Sequence, residues 1–128
     1  MDRSANMRAI RSKDMKPELA VRRLVHGMGY RYRLHRHDLP GRPDLVFPGL
    51  RKVILVHGCF WHQHRRCRLA HAPRSNLGYW QPKLARTQKR DKKNRAALET
   101  LGWDVLVIWE CEVPNSDLGA HLRRFLES

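Results

Sequence analysis

Long apolar runs are missing from this chain. The longest, Val53 to Val56 and Val105 to Trp109, fall far short of the roughly 20 residues that cross a bilayer, so no membrane span is expected. Acidic residues are scarce: 12 Asp and Glu stand against 26 Lys and Arg, a formal net charge of +14 in 128 residues. Solubility does not require such an imbalance, and a polyanionic partner is the expectation. Cysteine is scarce too, with three in the chain, and the segment Met1 to Met7 lacks the apolar stretch of a secretory signal. A reducing cytoplasm is therefore expected, where thiols serve as metal ligands rather than disulfide partners. Repeats, low-complexity linkers and composition breaks are absent as well, so residues 1–128 are read as a single domain. A hydrophobic share of 41% against 30% charged residues describes a folding chain, not a disordered one.

What is present alternates between two periodicities. Pro17, then Leu19, Val21, Leu24, Val25 and Met28, predict a helix with proline in its first turn that stops at Gly29. Pro40-Gly41-Arg42-Pro43 predicts a turn delivering Asp44 to the head of a short strand, Leu45-Val46-Phe47. Pro48-Gly49 turns the chain into the β-branched run Lys52 to Val56, so residues 44 to 56 form a hairpin with Asp44 and His57 at related ends. The spacing predicts a helix from Pro82 to Leu101 capped by Gly102, a buried strand from Trp103 to Trp109, and an amphipathic helix over Asp117 to Glu127. The order helix, strands, helix, strand, helix describes an α/β protein with a mixed sheet and helices packed on it.

Cys59, His64 and Cys67 lie within nine residues of one another, in a stretch too polar to belong to a core. Cys111 follows the strand ending in Trp109-Glu110 and reaches the same place if the two strands are neighbours. A Cys3His set closes a tetrahedral zinc site with no open position for water, so this Zn²⁺ is assigned to folding. The bland alternative makes the cysteines small buried hydrophobes and His64 a surface residue. His62 and His71 are alternative fourth ligands.

Phosphodiester hydrolysis asks for carboxylates to hold Mg²⁺, a base to deprotonate water, and cations to offset developing charge. Asp44, fed from a turn into a strand, suits the first task, and Pro43-Asp44 resembles the opening of the PD-(D/E)XK restriction-endonuclease-like fold. A longer ordered set is more specific: Leu39-Pro40-Gly41-Arg42-Pro43-Asp44, His57-Gly58-Cys59-Phe60-Trp61-His62, Arg90-Asp91, Gly102-Trp103 and Trp109-Glu110-Cys111. With Asn6-Met7-Arg8-Ala9-Ile10 and Glu18 added, the chain from Ser4 to Cys111 resembles the very short patch repair (Vsr) endonucleases.

That resemblance implies a Mg²⁺-dependent nick on the 5′ side of the thymine in a T·G mismatch left by deamination of 5-methylcytosine. It also implies a functional companion, a cytosine-5 DNA methyltransferase, and a bacterial cytoplasmic enzyme that joins the nucleoid when on DNA; a monomer is expected. Asp44 then corresponds to the metal-binding aspartate, His62 to the histidine that activates water, and His57 to the histidine of the metal-water cluster. Glu18 and Asp91 match further acidic positions of the active site. Cys59, His64, Cys67 and Cys111 match the structural zinc ligands, while Phe60, Trp61 and Trp80 match aromatics that wedge into the base stack; Met7 is counted among the DNA contacts. The roles make physical sense on their own: an imidazole accepts a proton near neutral pH, and exposed aromatics beside a basic surface suit insertion at a weakened base step. Trp80 has a duller alternative, packing over the core.

Three departures from the family pattern carry expectations. Two residues, Arg65 and Arg66, separate His64 from Cys67 where the family has one, so the zinc loop must bulge or Cys67 must yield its place. Val56 replaces a threonine, a tolerable change if the position offers a backbone carbonyl to the metal. Thr87 stands where asparagine is common, which puts a polar contact at risk. Beyond the motifs, Lys83, Arg86, Lys89, Arg90, Lys92, Lys93 and Arg95 crowd one helix, more than intrahelical pairing with Asp91 and Glu99 can absorb, so phosphate contact is expected rather than a merely solvated face. Two competing readings remain: a non-catalytic zinc module for distorted DNA, and a nuclease of the same fold acting on intact duplex or RNA.

Overall fold

The computed structural model describes residues 16–65, 67 and 75–128. Met7 with the rest of the Asn6 to Ile10 motif, and His71, lie outside them. The element order is α1 (Lys16–Gly27), β1 (Arg33–Leu34), β2 (Leu45–Phe47), β3 (Lys52–His57), α2 (Leu77–Thr100), β4 (Asp104–Trp109) and α3 (Leu118–Glu127), with short 3-10 turns at Pro48–Leu50 and Glu110–Glu112. The sheet runs β1-β2-β3-β4. The pairs β1–β2 and β2–β3 are antiparallel, and β3–β4 is parallel with Val53 beside Val105 and His57 beside Trp109.

Alternation along the strands supplies both faces of this sheet. Leu45, Phe47, Ile54 and Ile108 point to one side, where they pack with Val21 and Val25 of α1 and Leu118, Leu122 and Leu126 of α3. Val46 and Val53 point to the other, against Leu98 of α2, Trp103 and Leu39. A sheet covered on both faces needs apolar residues at successive positions, which is why β3 reads as an unbroken run. Lys52 is the exception, buried at 4% exposure. Its Nζ donates to the Phe125 carbonyl (2.5 Å) and to the carbonyl and hydroxyl of Ser128 (2.8 and 2.9 Å), so a cation closes the last turn of α3, where free carbonyls collect.

The predicted hairpin forms, turned by Pro48–Leu50 with Arg51 in left-handed backbone (φ 56°) donating its N–H to the Pro48 carbonyl. Two expectations are corrected. A two-residue strand, β1, extends the sheet beyond the hairpin, and α2 starts at Leu77, not at Pro82, which lies inside it. Proline preorganises a first turn, but here tertiary contact outweighs that rule: Trp80 packs against Phe60 and Trp61, and the extra turn brings it there. At the other end α2 stops as expected, with Gly102 at φ 91° donating to the Glu99 carbonyl (3.0 Å).

Candidate active site

Parallel β3 and β4 end side by side, and almost every chemistry-bearing residue lies at or just beyond those carboxyl ends, the usual place for ligands in open α/β sheets. His57 closes β3 and the next residues carry Cys59 through His64. Opposite, Asp44 heads β2, antiparallel to β3, so its side chain meets the same end of the sheet. Gly41 makes this delivery possible: it has φ 74°, and an added Cβ would sit 2.9 to 3.0 Å from the Asn94 side chain of α2. The turn therefore lies flat on α2.

Asp44, Val56, His57, His62, Arg90 and Asp91 line one cleft of about 690 Å³. The Nδ1 of His62 lies 2.6 Å from Asp91 Oδ2. A carboxylate only accepts, so Nδ1 carries the proton, and in the neutral form of the ring Nε2 keeps its lone pair. His62 groups with His57 and Asp91 and not with the thiols, so it stands apart from the cysteine cluster for which it was an alternative ligand. The His57 ring stacks on His62 with centroids 3.8 Å apart and planes 6° from parallel. Burial foremost, with His62 adding, depresses the His57 pKa to about 4, so it stays neutral beside its neighbour. Its buried Nδ1 has no hydrogen-bond partner among the described residues, an orphan of the kind water or a ligand satisfies.

Glu18 of α1 and His35, just after β1, close around Asp44; one ligand atom from each lies within 4.8 Å of the others. Glu18 Oε1 and His35 Nε2 are in direct contact. Burial raises the Asp44 pKa from its ordinary value, the Val56 N–H donating to Oδ2 (2.6 Å) opposes the rise, and Glu18 adds to it. Two carboxylates forced together in a partly buried place are suited to a divalent cation.

The second cluster is Cys59, His64, Cys67 and Cys111, again with ligand atoms within 4.8 Å. His64 Nδ1 lies 3.7 Å from Cys59 Sγ and 3.4 Å from Cys111 Sγ, close to the about 3.6 Å that separates sulfur and nitrogen around one tetrahedral zinc. The donor set fits that cation. Burial pushes the Cys59 thiol up to about 12, and burial raises Cys111 as well, so without a cation these are inert thiols rather than nucleophiles. Cys67 keeps its place despite the extra residue before it. The loop is held from outside by the Cys59 N–H donating to Glu110 (3.2 Å) and by His64 stacked on Trp109 at 4.1 Å.

Phe60, Trp61 and Trp80 form one aromatic patch, with centroids 5.4 to 5.6 Å apart. Trp61 is 51% exposed, and Trp80 joins this patch rather than either core cluster. Tyr79 extends it, edge to face with Trp80 at 5.0 Å and 55% exposed; nothing in the sequence flagged it, because the helix was expected to begin later. Beyond Tyr79, Lys83, Arg86, Lys89, Arg90, Lys92, Lys93 and Arg95 are all exposed on α2. Arg95 pairs with Glu99 (3.0 Å) and Lys83 donates to the Tyr79 hydroxyl (2.9 Å), whereas Lys89, Arg90, Lys92 and Lys93 form no ion pair among the described residues. The Thr87 hydroxyl is spent on the Lys83 carbonyl (3.1 Å). No helix among the described residues is long and apolar enough to cross a membrane.

Residues 1–68 match the family described as DNA mismatch endonuclease Vsr. A type II nicking enzyme of Xanthomonas oryzae, V.XorIIP, is 53% identical over 94% of this chain and 89% of its own length. Another from Neisseria meningitidis, V.NmeAIP, is 42% identical over 88% and 80%, and the DNA mismatch endonuclease Vsr of Escherichia coli is 42% identical over 85% and 69%. A family match over residues 1–68 and identities of 42 to 53% over most of the chain show that it belongs to the Vsr family of DNA mismatch endonucleases.

Proposed function

We propose that this protein is a DNA endonuclease that nicks one strand 5′ of the thymine in a T·G mismatch, with Mg²⁺ as the catalytic cation. The observation that carries the reading is the His62–Asp91 pair in one cleft with Asp44. Asp44, helped by Glu18 and the Val56 carbonyl, would hold the cation, which when bound supplies Lewis-acid stabilisation of charge on the phosphate. Asp91 fixes the tautomer of His62, and Nε2 of His62 takes the proton of the attacking water. His57, neutral by burial, leaves the imidazolium that forms on His62 without a second positive charge against it. Phe60, Trp61 and Trp80 enter beside a wobble pair, which unstacks more cheaply than a matched pair, and the free cations of α2 meet the phosphates. The names of the relatives, nicking enzymes and a mismatch endonuclease, support strand cleavage over simple binding.

Zinc on Cys59, His64, Cys67 and Cys111, a restriction-endonuclease-like fold in one domain, a monomeric enzyme in the bacterial cytoplasm and a cytosine-5 methyltransferase as companion complete the proposal. The zinc-loaded protein with Mg²⁺ is expected to cut the thymine strand of a T·G heteroduplex and spare the matched control. Asp44→Ala is expected to lose cleavage by at least about three orders of magnitude while binding changes little, since a metal ligand and not a phosphate contact is removed. Heteroduplex binding without cleavage, across varied flanking sequences, would favour the non-catalytic module.

A further inference from the structure

A nitrogen donor stands where the carboxylates meet. His35 belongs to none of the motifs that identify the family, yet its ring Nε2 contacts Glu18 Oε1, and one ligand atom from each of Glu18, His35 and Asp44 lies within 4.8 Å of the others. Donors around an octahedral cation with bonds of about 2.1 Å are separated by about 3 to 4.2 Å, so small side-chain rotations bring all three onto one ion. Three elements converge to build the arrangement: α1 supplies Glu18, the turn after β1 supplies His35, and the head of β2 supplies Asp44. Nothing in the packing demands a histidine there, because its side chain is 52% exposed and the contact is made by the ring nitrogen. Its backbone is left-handed (φ 49°), an unfavourable conformation for a side-chain-bearing residue.

We propose that His35 is a direct ligand of the divalent cation held by Asp44 and Glu18, making this a mixed nitrogen and oxygen site. The inference rests on the endonuclease reading for the role of that cation, but not for its existence. Imidazole is a poor partner for Mg²⁺, a better one for Mn²⁺ and better still for Co²⁺ along the first-row series. The site therefore discriminates in favour of the softer ions, more than an all-oxygen set does.

The test uses the zinc-loaded full chain titrated with Mn²⁺ alone and followed by electron paramagnetic resonance, with electron spin echo modulation to detect directly bound nitrogen. Wild type is expected to show a coordinated imidazole nitrogen. His35→Gln is expected to lose that nitrogen and to bind Mn²⁺ about tenfold or more weakly, with zinc content and circular dichroism unchanged. Glu18→Gln is expected to weaken Mn²⁺ binding and keep the nitrogen. Absence of bound nitrogen in wild type, its persistence in His35→Gln, or unchanged affinity in either variant overturns the proposal and leaves His35 and Glu18 as an ion pair only. The wild-type measurement decides even if a variant fails to fold. Nicking of a T·G heteroduplex is scored in parallel: cleavage without bound nitrogen refutes the ligand alone, and bound nitrogen without cleavage refutes the endonuclease reading alone.

Discussion

His62 and Asp91 are 29 positions apart in the chain and 2.6 Å apart in space, and in the proposed reaction that contact sets which nitrogen of His62 acts as the base. Asp91→Asn keeps the size but offers an amide that can donate to Nδ1, which favours the tautomer with its proton on Nε2, the wrong one for a base. Cleavage by this variant is expected to fall by about two to four orders of magnitude at unchanged heteroduplex affinity, measured by single-turnover nicking and a binding titration; an unchanged rate would remove Asp91 from the reaction. Single residues of this kind were legible in the sequence because the ordered motifs name them: Asp44, His57 and His62 line the cleft as expected. Their partnerships were not. That Asp91 belongs to His62, and Glu18 to His35, follows from which elements the sheet brings together. His35 was missed because a two-residue strand has no periodicity to detect.

Among elements, the stretch after β3 is the densest. Cys59 and His64 face the thiol cluster, His62 between them faces the cleft, and Cys111 reaches across from the end of β4. Cys111→Ser removes one sulfur from the proposed zinc set, in which burial otherwise keeps the thiols protonated. Zinc content is expected to drop well below one per chain and Tm to fall by about 10 °C or more; full zinc with an unchanged Tm would show that Cys111 is not a ligand. The fold was largely legible at this scale, since strands buried on both faces read as continuous apolar runs and glycines, Gly29 and Gly102, follow the ends of α1 and α2. The start of α2 was not, because the proline rule is local while the Trp80 contacts that extend the helix come from a different segment. Of the 24 residues of α2 only Leu84 and Leu98 are buried, so the helix shows little apolar stripe to mark its bounds.

For the whole molecule, a net charge of +14 and the exposed cations along α2 make DNA affinity, in the proposed reading, largely an ionic matter. If about six phosphates are neutralised, log K falls against log salt with a slope near −5. Substituting Lys89 and Lys93 together by alanine is expected to reduce that slope by about 2 while the preference for the mismatch survives; a slope that does not move would take this face of α2 out of the interface. In the proposed reading preference belongs instead to the aromatic patch, and two of its rings, Phe60 and Trp61, share one short span with His62 and with Cys59 and His64 of the thiol cluster. Three duties on so short a span leave evolution unequal freedom along it. Slack is tolerable after His64, where Arg65 and Arg66 already lengthen the path to Cys67. One glycine inserted between Phe60 and Trp61 is expected to cost both zinc and nicking, and the same glycine placed after Arg65 far less. Lineages built on this plan would drift at the loop's far end and stand still at its beginning.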